Sequence, residues 1–467
     1  MRVLFICPPT SQEERYGKLK DIGTLHPSLG IAYIAAYTEK KGHTVNIIDS
    51  EANCYNFDDI KRNIKDFKPE VIGMQTFCTN LSRCYKIAEI TKNINSDIKI
   101  ILGGAQATLS PKEIIKQKNI DFIICGEGEI TFTHLLDALE CKKNLKEVNG
   151  LIWKDKDKVI INKSQELIKD ISILPFPARH LLPMEKYHSS ANLSGKHTLN
   201  IMTSRGCPFR CAYCSGHLTF GKTHRYNSTE NVIGEIKELI IRYKADSIQF
   251  YDETFTANRN RVIELCDSMI KEKIKIPWSC FTRVNLVDEE LLRKMKDAGC
   301  YLIFFGLESG VQRLLNLIKK DITLEQQKRA VDLCKKVGIE VWGSFILALP
   351  TETIEDAKQT IDWAIKLNLD YVQFPICTPF PGTELYEICK KSGGILTEDW
   401  ENFLTWDEIV YLPKGRTKKE IKKTVKNAYK KFYLRPSFIL RKTWNLRKFP
   451  IKNIYKMTKA GVITFFG

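Results

Sequence analysis

The chain has 467 residues, enough for about three domains of roughly 150 residues each, and its 43% hydrophobic and 10% aromatic content excludes a disordered or low-complexity polymer. Lys and Arg number 72 against 55 Asp and Glu, a formal +17, yet residues 414–467 alone hold 17 bases and one acid, leaving 55 bases and 54 acids in the other 413 residues. An electrically ordinary body thus carries one basic appendage, and nucleic acid or an anionic membrane would be met there if anywhere.

The first predicted strand, Val3-Leu4-Phe5-Ile6, is closed by two prolines, and residues 29–41 carry apolar side chains at helical spacing up to Gly42. The start breaks too early for a signal peptide, and no run reaches the ~20 apolar residues of a membrane-spanning helix. Fifteen cysteines, an odd count, read as buried thiols or metal ligands in a reducing, cytoplasmic compartment. Further strands at 45–48, 71–74, 98–102 and 122–124 alternate with helical stretches. This predicts an α/β, doubly wound, open parallel sheet over residues 1–145, with ligands beyond the strand C-terminal ends. Three such ends look like ligand loops: residues 75–80 with Thr76 and Thr79, the Gly103-Gly104 pair, and Gly126-Glu127-Gly128-Glu129. For Gly-Gly alone a tight turn is the commoner explanation.

Residues 146–195 read as a linker, with a hairpin around 151–153 and 159–161 followed by the Pro-rich stretch 174–177. A strand from Leu199 then enters a loop holding Cys207, Cys211 and Cys214 in Cys-x3-Cys-x2-Cys spacing. Three thiolates within eight residues can wrap one face of a cubane iron–sulfur cluster and leave its fourth iron open. A zinc knuckle is the alternative, with His217 or His224 as fourth ligand. Strands at 247–251, 278–281, 302–305, 341–346 and 371–374 bring the count to six βα units, a partial (β/α)6 barrel over residues 196–400. Its strand ends carry Asp252-Glu253, Thr282-Arg283, Glu308-Ser309 and Glu352. Asp252 and Glu253 read equally well as a solvated helix start. Cys377 reads as a buried structural thiol.

Residues 401–467 form a helical basic tail, amphipathic from 418 to 449 and ending in Thr464-Phe465-Phe466. A helix packed on the enzyme is the first reading, a membrane-surface helix the second and an RNA arm the last.

The triplet, with Arg205-Gly206 before it and Tyr213 ahead of its last cysteine, is similar to the radical SAM superfamily signature. The Pro27-Ser28-Leu29-Gly30 helix entry, the Gly-Gly loop and the Gly-Glu-Gly-Glu loop resemble the Rossmann-like cobalamin-binding domain of B12-dependent radical SAM proteins. The resemblance covers nearly the whole chain. It implies a [4Fe-4S] cluster on Cys207, Cys211 and Cys214 whose free iron chelates S-adenosylmethionine (SAM). SAM would lie near Tyr213, Asp252, Arg283, Glu308 and Ser309, with Arg283 pairing its carboxylate, and cobalamin would lie against Thr76, Thr79, Gly103, Gly104, Gly126, Glu127 and Gly128. Two departures stand out. No Asp-x-His-x-x-Gly string exists, so neither His26 nor His43 is expected below cobalt, and Ala348 and Thr351 replace glycines of the family's Leu-Gly-Leu-Pro-Gly-Glu-Thr loop.

The implied activity is reductive cleavage of SAM to a 5′-deoxyadenosyl radical, hydrogen abstraction from an unactivated carbon, and methyl transfer from methylcobalamin to a small-molecule or lipid-like substrate. The runner-up is oxidation or ring formation, as in anaerobic magnesium-protoporphyrin ester cyclases. A B12 or light sensor with a degenerate barrel is a third reading, against which the intact triplet argues. The implied partners are an electron donor such as flavodoxin or ferredoxin and, through the tail, the inner membrane face. Nucleic acid is not expected, because the chain has neither an RNA-binding module nor extra cluster cysteines in its N-terminal domain.

Overall fold

The computed structural model describes residues 1–16, 23–156, 158–188, 195, 197–404 and 408–445. Five parallel strands open the chain: β1 (Arg2–Cys7), β2 (Thr44–Asp49), β3 (Val71–Gln75), β4 (Lys99–Gly103) and β5 (Phe122–Ile124). The hairpin β6 (Leu151–Asp155) and β7 (Lys158–Ile161) adds to β5 antiparallel, giving the order β2-β1-β3-β4-β5-β6-β7. The predicted linker hairpin therefore extends the sheet itself. Val3, Leu4, Phe5 and Ile6 are all 2% exposed or less because both faces of β1 are covered. Ile31 and Leu135 of the helices Leu29–Lys40 and Gly128–Glu140 pack on one face, and Ile60 and Ile87 of Phe57–Phe67 and Leu81–Ile94 on the other. The order reverses between β1 and β3, which puts the ligand-binding crevice of such sheets at their C-terminal ends.

The second sheet holds β8 (Thr198–Ile201), β11 (Ser247–Phe250), β12 (Trp278–Thr282), β13 (Cys300–Glu308), β14 (Glu340–Phe345) and β15 (Tyr371–Gln373) in the order β15-β14-β13-β12-β11-β8, all parallel, as the six predicted units require. A short antiparallel ribbon, β9 (Ser204–Arg205) with β10 (Arg225–Tyr226), follows β8. Phe250, Cys280, Ile303, Phe305, Val341 and Phe345 are 0–1% exposed beneath the helix layer. The alternate residues face the barrel interior.

An open barrel leaves β15 with an unpaired edge, a hazard that proteins cover. Here the helix Lys418–Tyr433 covers it. The Tyr433 hydroxyl accepts from Val372 N at 3.0 Å and donates to Val372 O at 2.8 Å, and the Tyr429 hydroxyl accepts from Phe374 N at 3.0 Å. Ala428 and Phe432 are fully buried, while Lys418, Lys419, Lys422, Lys423, Lys426 and Lys431 stay exposed. The packed-helix reading thus describes this part of the tail. The single amphipathic stretch divides at Leu434, and a second helix runs Pro436–Asn445. The terminal Thr464-Phe465-Phe466 lies outside the described residues. Among the described residues no helix is long and apolar enough to cross a membrane.

The loop after β14 holds both departures from the glycine pattern. Ala348 and Thr351 each have φ of +65°, the left-handed region that glycine would occupy without strain. Thr351→Gly is therefore expected to raise stability by about 1 kcal/mol, read as an upward shift of the thermal midpoint that Thr351→Val does not produce. In the same loop Glu352 accepts from Ala348 N at 2.7 Å, and burial lifts its carboxyl from 4.5 to about 7 against the opposing pull of Arg416. A carboxyl raised on folding stabilises the fold at acid pH and loses that contribution as pH climbs through the raised value. Glu352→Gln should accordingly flatten the fall in thermal midpoint between about pH 5 and pH 7.

Candidate functional site

The cluster loop starts at Gly206, whose φ is +88° and where a Cβ would sit 2.3 Å from Thr223 O. No other residue fits there. Asp252, 1% exposed at the end of β11, pins the approach: its carboxylate accepts Thr203 N at 2.7 Å, the Thr203 hydroxyl at 2.8 Å and Ser204 N. Ala212 N donates to Ile318 O at 2.9 Å and Ala212 O accepts from Leu385 N at 2.8 Å, anchoring the far side. Each thiol has its own polar neighbour. Cys207 Sγ lies 3.4 Å from Thr254 Oγ1, Cys211 Sγ accepts from Arg283 Nη1 at 3.2 Å, and Cys214 Sγ accepts from Gly216 N at 3.4 Å. Burial and the nearby Cys211 and Cys207 raise the Cys214 thiol, so the three sulfurs share one region. Among the described residues no three His, Cys, Asp or Glu side chains converge on one metal ion. The donor chemistry fits a cubane, where soft thiolates bind separate irons and hydrogen bonds to sulfur tune the cluster.

From Cys211 the network continues through Arg283. Its guanidinium stacks 3.7 Å from the Phe209 ring centroid and also donates to Lys320 O. Lys320 Nζ donates to Glu308 Oε1 at 2.8 Å and to the Tyr213 hydroxyl at 2.9 Å, and that hydroxyl donates to Glu308 Oε1 at 2.7 Å. Burial and the adjacent Glu308 carboxylate hold Tyr213 well above its ordinary value, hence protonated. Glu308 has φ of +64° at a register shift in β13, and a Cβ on Gly306 would fall 2.3 Å from Glu308 Oε1 and 2.7 Å from Lys320 Nζ. A side chain at 306 would push these two charged ends aside, so glycine there leaves room for the pair. Ser309 is turned away: its hydroxyl accepts from Val311 N at 3.1 Å and lies 3.2 Å from Thr360 Oγ1. Glu253, beside the loop with Cγ 3.6 Å from where a Gly216 Cβ would stand, has its carboxyl lifted by burial to about 7 and leaves Oε2 buried without a partner. A cationic amino group would satisfy it.

On the N-terminal domain a cavity of about 220 Å³ lies at the ends of β1, β2 and β3, bordered by Cys7, His26, Ser28, Asp49, Gln75 and Thr79. That volume is smaller than a whole corrinoid and comparable to one arm of a large cofactor. Thr76 is spent internally, its hydroxyl donating to Gly103 O at 2.8 Å and accepting from Ala107 N at 2.9 Å. Gly104, φ +92°, lets that loop close, since a Cβ would stand 2.8 Å from Gln75 Cγ. Gly126 N donates to Thr108 Oγ1 at 2.9 Å, and Gly128 packs where a Cβ would meet Ile34 Cδ1 at 2.7 Å. Glu127 is placed at the junction of the two domains. It pairs with Arg205 at 3.2 Å and Arg225 at 2.8 Å and accepts Ile168 N at 2.9 Å, while Glu129 pairs with Arg205 at 2.6 Å. These side chains are only 2–6% exposed.

The structure therefore joins Cys211, Arg283, Glu308 and Tyr213 in one network, sets Cys207 and Cys214 near Cys211, and has Asp252 hold the strand end that feeds the loop. Lys320 and the Arg205 junction escaped sequence reasoning. Lys320 sits in a Lys-Lys-Asp turn with no spacing rule, 107 residues from Tyr213.

Residues 201–364 match the radical SAM superfamily and residues 19–136 the B12 binding domain. The chain is 38% identical over 453 residues to an uncharacterized methyltransferase of Pyrococcus horikoshii, covering 97% of this chain and 96% of that protein. It is 28% identical to an anaerobic magnesium-protoporphyrin IX monomethyl ester cyclase of Rubrivivax gelatinosus, over 94% of this chain and 78% of that one. A radical S-adenosylmethionine methyltransferase of Kitasatospora setae, solved with cobalamin and a [4Fe-4S] cluster, shares the fold at TM-score 0.70 and 16% identity, covering 89% of this chain and 83% of the other.

Proposed function

The chain belongs to the B12-binding radical SAM enzymes, and on that premise we propose that it methylates an unactivated carbon of a small-molecule substrate. Cobalamin, SAM and a [4Fe-4S] cluster are the cofactors of this family; bound, they supply a SAM-derived radical and a transferable methyl group. The observation that carries the proposal is the continuous network from Cys211 through Arg283 to Lys320, Glu308 and Tyr213.

Cys207, Cys211 and Cys214 would hold the cluster. Arg283 donates to one thiolate and places positive charge beside it. Lys320 offers a cation for the SAM carboxylate, and the unpartnered Glu253 oxygen an acceptor for its amino group. Glu308 and Tyr213 add hydrogen-bonding groups suited to a ribose. Asp252 fixes the strand that feeds the loop, so it positions the site. Thr79, with Gln75 and Asp49, borders the crevice for part of cobalamin. Lys320→Met is expected to slow SAM cleavage about 100-fold, or roughly 2.7 kcal/mol, with the cluster absorbance intact; the rate is read as 5′-deoxyadenosine formed under dithionite.

The electron would come from a flavodoxin- or ferredoxin-type carrier. The exposed lysines of the helix Lys418–Tyr433 support a peripheral contact with an anionic membrane surface, which liposome flotation tests. For the reaction itself, the reconstituted enzyme is incubated with host-cell extract and SAM carrying a trideuterated methyl group. A product heavier by one labelled methyl supports methylation. Loss of hydrogens without label supports the oxidation or cyclisation named for the Rubrivivax relative, and bound B12 without 5′-deoxyadenosine supports a sensor.

A further inference from the structure

The interior face of the barrel carries a row of rings, one from each of five adjacent strand positions. Phe281 pairs in register with Phe304, Phe304 with Trp342 and Trp342 with Tyr371. The pairing of Phe250 with Cys280 sets Tyr251 beside Phe281. Ring centroids along the row are 5.6, 4.6, 5.1 and 5.3 Å apart, and the last three pairs are stacked, with planes 26–30° from parallel. At the near end His26 of the N-terminal domain packs edge-on against Tyr251 at 5.3 Å and also borders the 220 Å³ crevice. The row therefore runs without a break from the cobalamin-domain crevice across the barrel.

Closed barrels fill this layer with interdigitating aliphatic side chains. In this barrel Tyr251, Phe281, Phe304 and Trp342 are only half-buried, whereas their strand neighbours Phe250, Cys280, Ile303 and Val341 are fully buried. The interior side of the row is open at these four rings, and Tyr371, 2% exposed, closes its far end. Rings stacked face to face along a row spend their faces on one another and turn their edges to the interior. Those edges are the positive part of the aromatic quadrupole, so they favour the negative face of another π system laid across them. No residue of the row carries a charge. Two residues further along the strands, about 7 Å toward the mouth, Gly306 and Ser344 lie in register beneath Lys320 and Glu308.

We propose, resting on the radical reading of the barrel mouth, that this row is the floor of the substrate chamber and that the substrate presents a flat, conjugated ring system face-down on it. Saturated polycycles lack the π face that the ring edges seek. Anionic chains find no cation on this floor.

A matched pair of probes tests it on the holoenzyme reconstituted with cluster, cobalamin and SAM: naphthalene-2-carboxamide and its fully saturated decahydro analogue, by titration calorimetry. The flat amide is expected to bind up to about ten-fold more tightly, the worth of one good aromatic contact. Phe281→Leu, at the next ring of the row, should weaken the flat amide to a similar extent as the next variant does. Phe304→Leu should weaken it up to about ten-fold and leave the saturated analogue unchanged. Equal binding of the two probes, no binding of either, or unchanged affinity in both variants would overturn the floor assignment. Formation of 5′-deoxyadenosine under dithionite, measured on the same wild-type preparation, reports separately on the radical chemistry. Its absence removes the underlying reading whatever the probes do.

Discussion

Replacing Arg205 by methionine is expected to cost the folded chain about 3–5 kcal/mol, because one partner of a buried charge network is removed and the others stay behind uncompensated. Arg205 serves Glu127 at 3.2 Å and Glu129 at 2.6 Å, and only Glu127 has a second cation, Arg225. Urea unfolding of the cofactor-free protein measures the loss. Adding Glu129→Gln to the same chain should recover part of it, since the orphaned charge goes too, whereas Arg205→Lys should not restore the wild-type value, because an ammonium cannot present two fixed prongs. Burial alone would raise the Glu127 carboxyl, but Arg225, Arg205 and the Ile168 N–H hold it below its ordinary value. A carboxyl depressed on folding contributes stability above the ordinary carboxylate range and loses it as pH falls. The variant should therefore show a shallower loss of stability between about pH 5 and pH 3. An unfolding midpoint unchanged from wild type would show that the two domains do not depend on this contact.

Replacing Cys207, Cys211 and Cys214 together by alanine should abolish the iron–sulfur absorbance of the reconstituted protein and reduce 5′-deoxyadenosine formation to background. The cofactor-free fold should shift by no more than about 1–2 kcal/mol, because the loop keeps its backbone anchors at Gly221, Ile318 and Leu385. Cys211→Ser alone is informative: the Arg283 guanidinium beside that sulfur persists, so a serine oxygen retains its donor but is a harder ligand for iron. A cluster signal kept by the triple variant would remove the three thiols as ligands.

Much of the architecture was legible because it rests on local pattern. Runs such as Val71-Ile72-Gly73-Met74 and Leu302-Ile303-Phe304-Phe305 are apolar or alternate at the strand period, and the strands fall where those runs lie. The triplet was legible because its ligands occupy one short loop. Contacts that join distant parts of the chain were not. The hairpin Leu151–Asp155 and Lys158–Ile161 shows alternation but nothing that says which sheet it joins. Glu127 stood in a glycine-rich loop that invited a ligand, and its partners Arg205 and Arg225 lie 78 and 98 residues away. Ser309 and Thr76 stand at strand ends, where ligand contacts are expected, but spacing does not say which way a side chain points. Tyr429 and Tyr433 carry no signal of their own within the amphipathic stretch, yet their hydroxyls bond the backbone at β15.

That last arrangement bears on how the basic tail is studied. A chain cut before residue 414 would be more than an enzyme without its lysines: it would expose the Val372 and Phe374 amides that two tyrosines now occupy. A bare strand edge recruits another strand, and the nearest supply is a second copy of the same molecule. Neutralising the outward lysines while keeping both tyrosines separates charge from edge protection, and only that comparison reads the electrostatics of the tail on a chain whose strand edge is still covered.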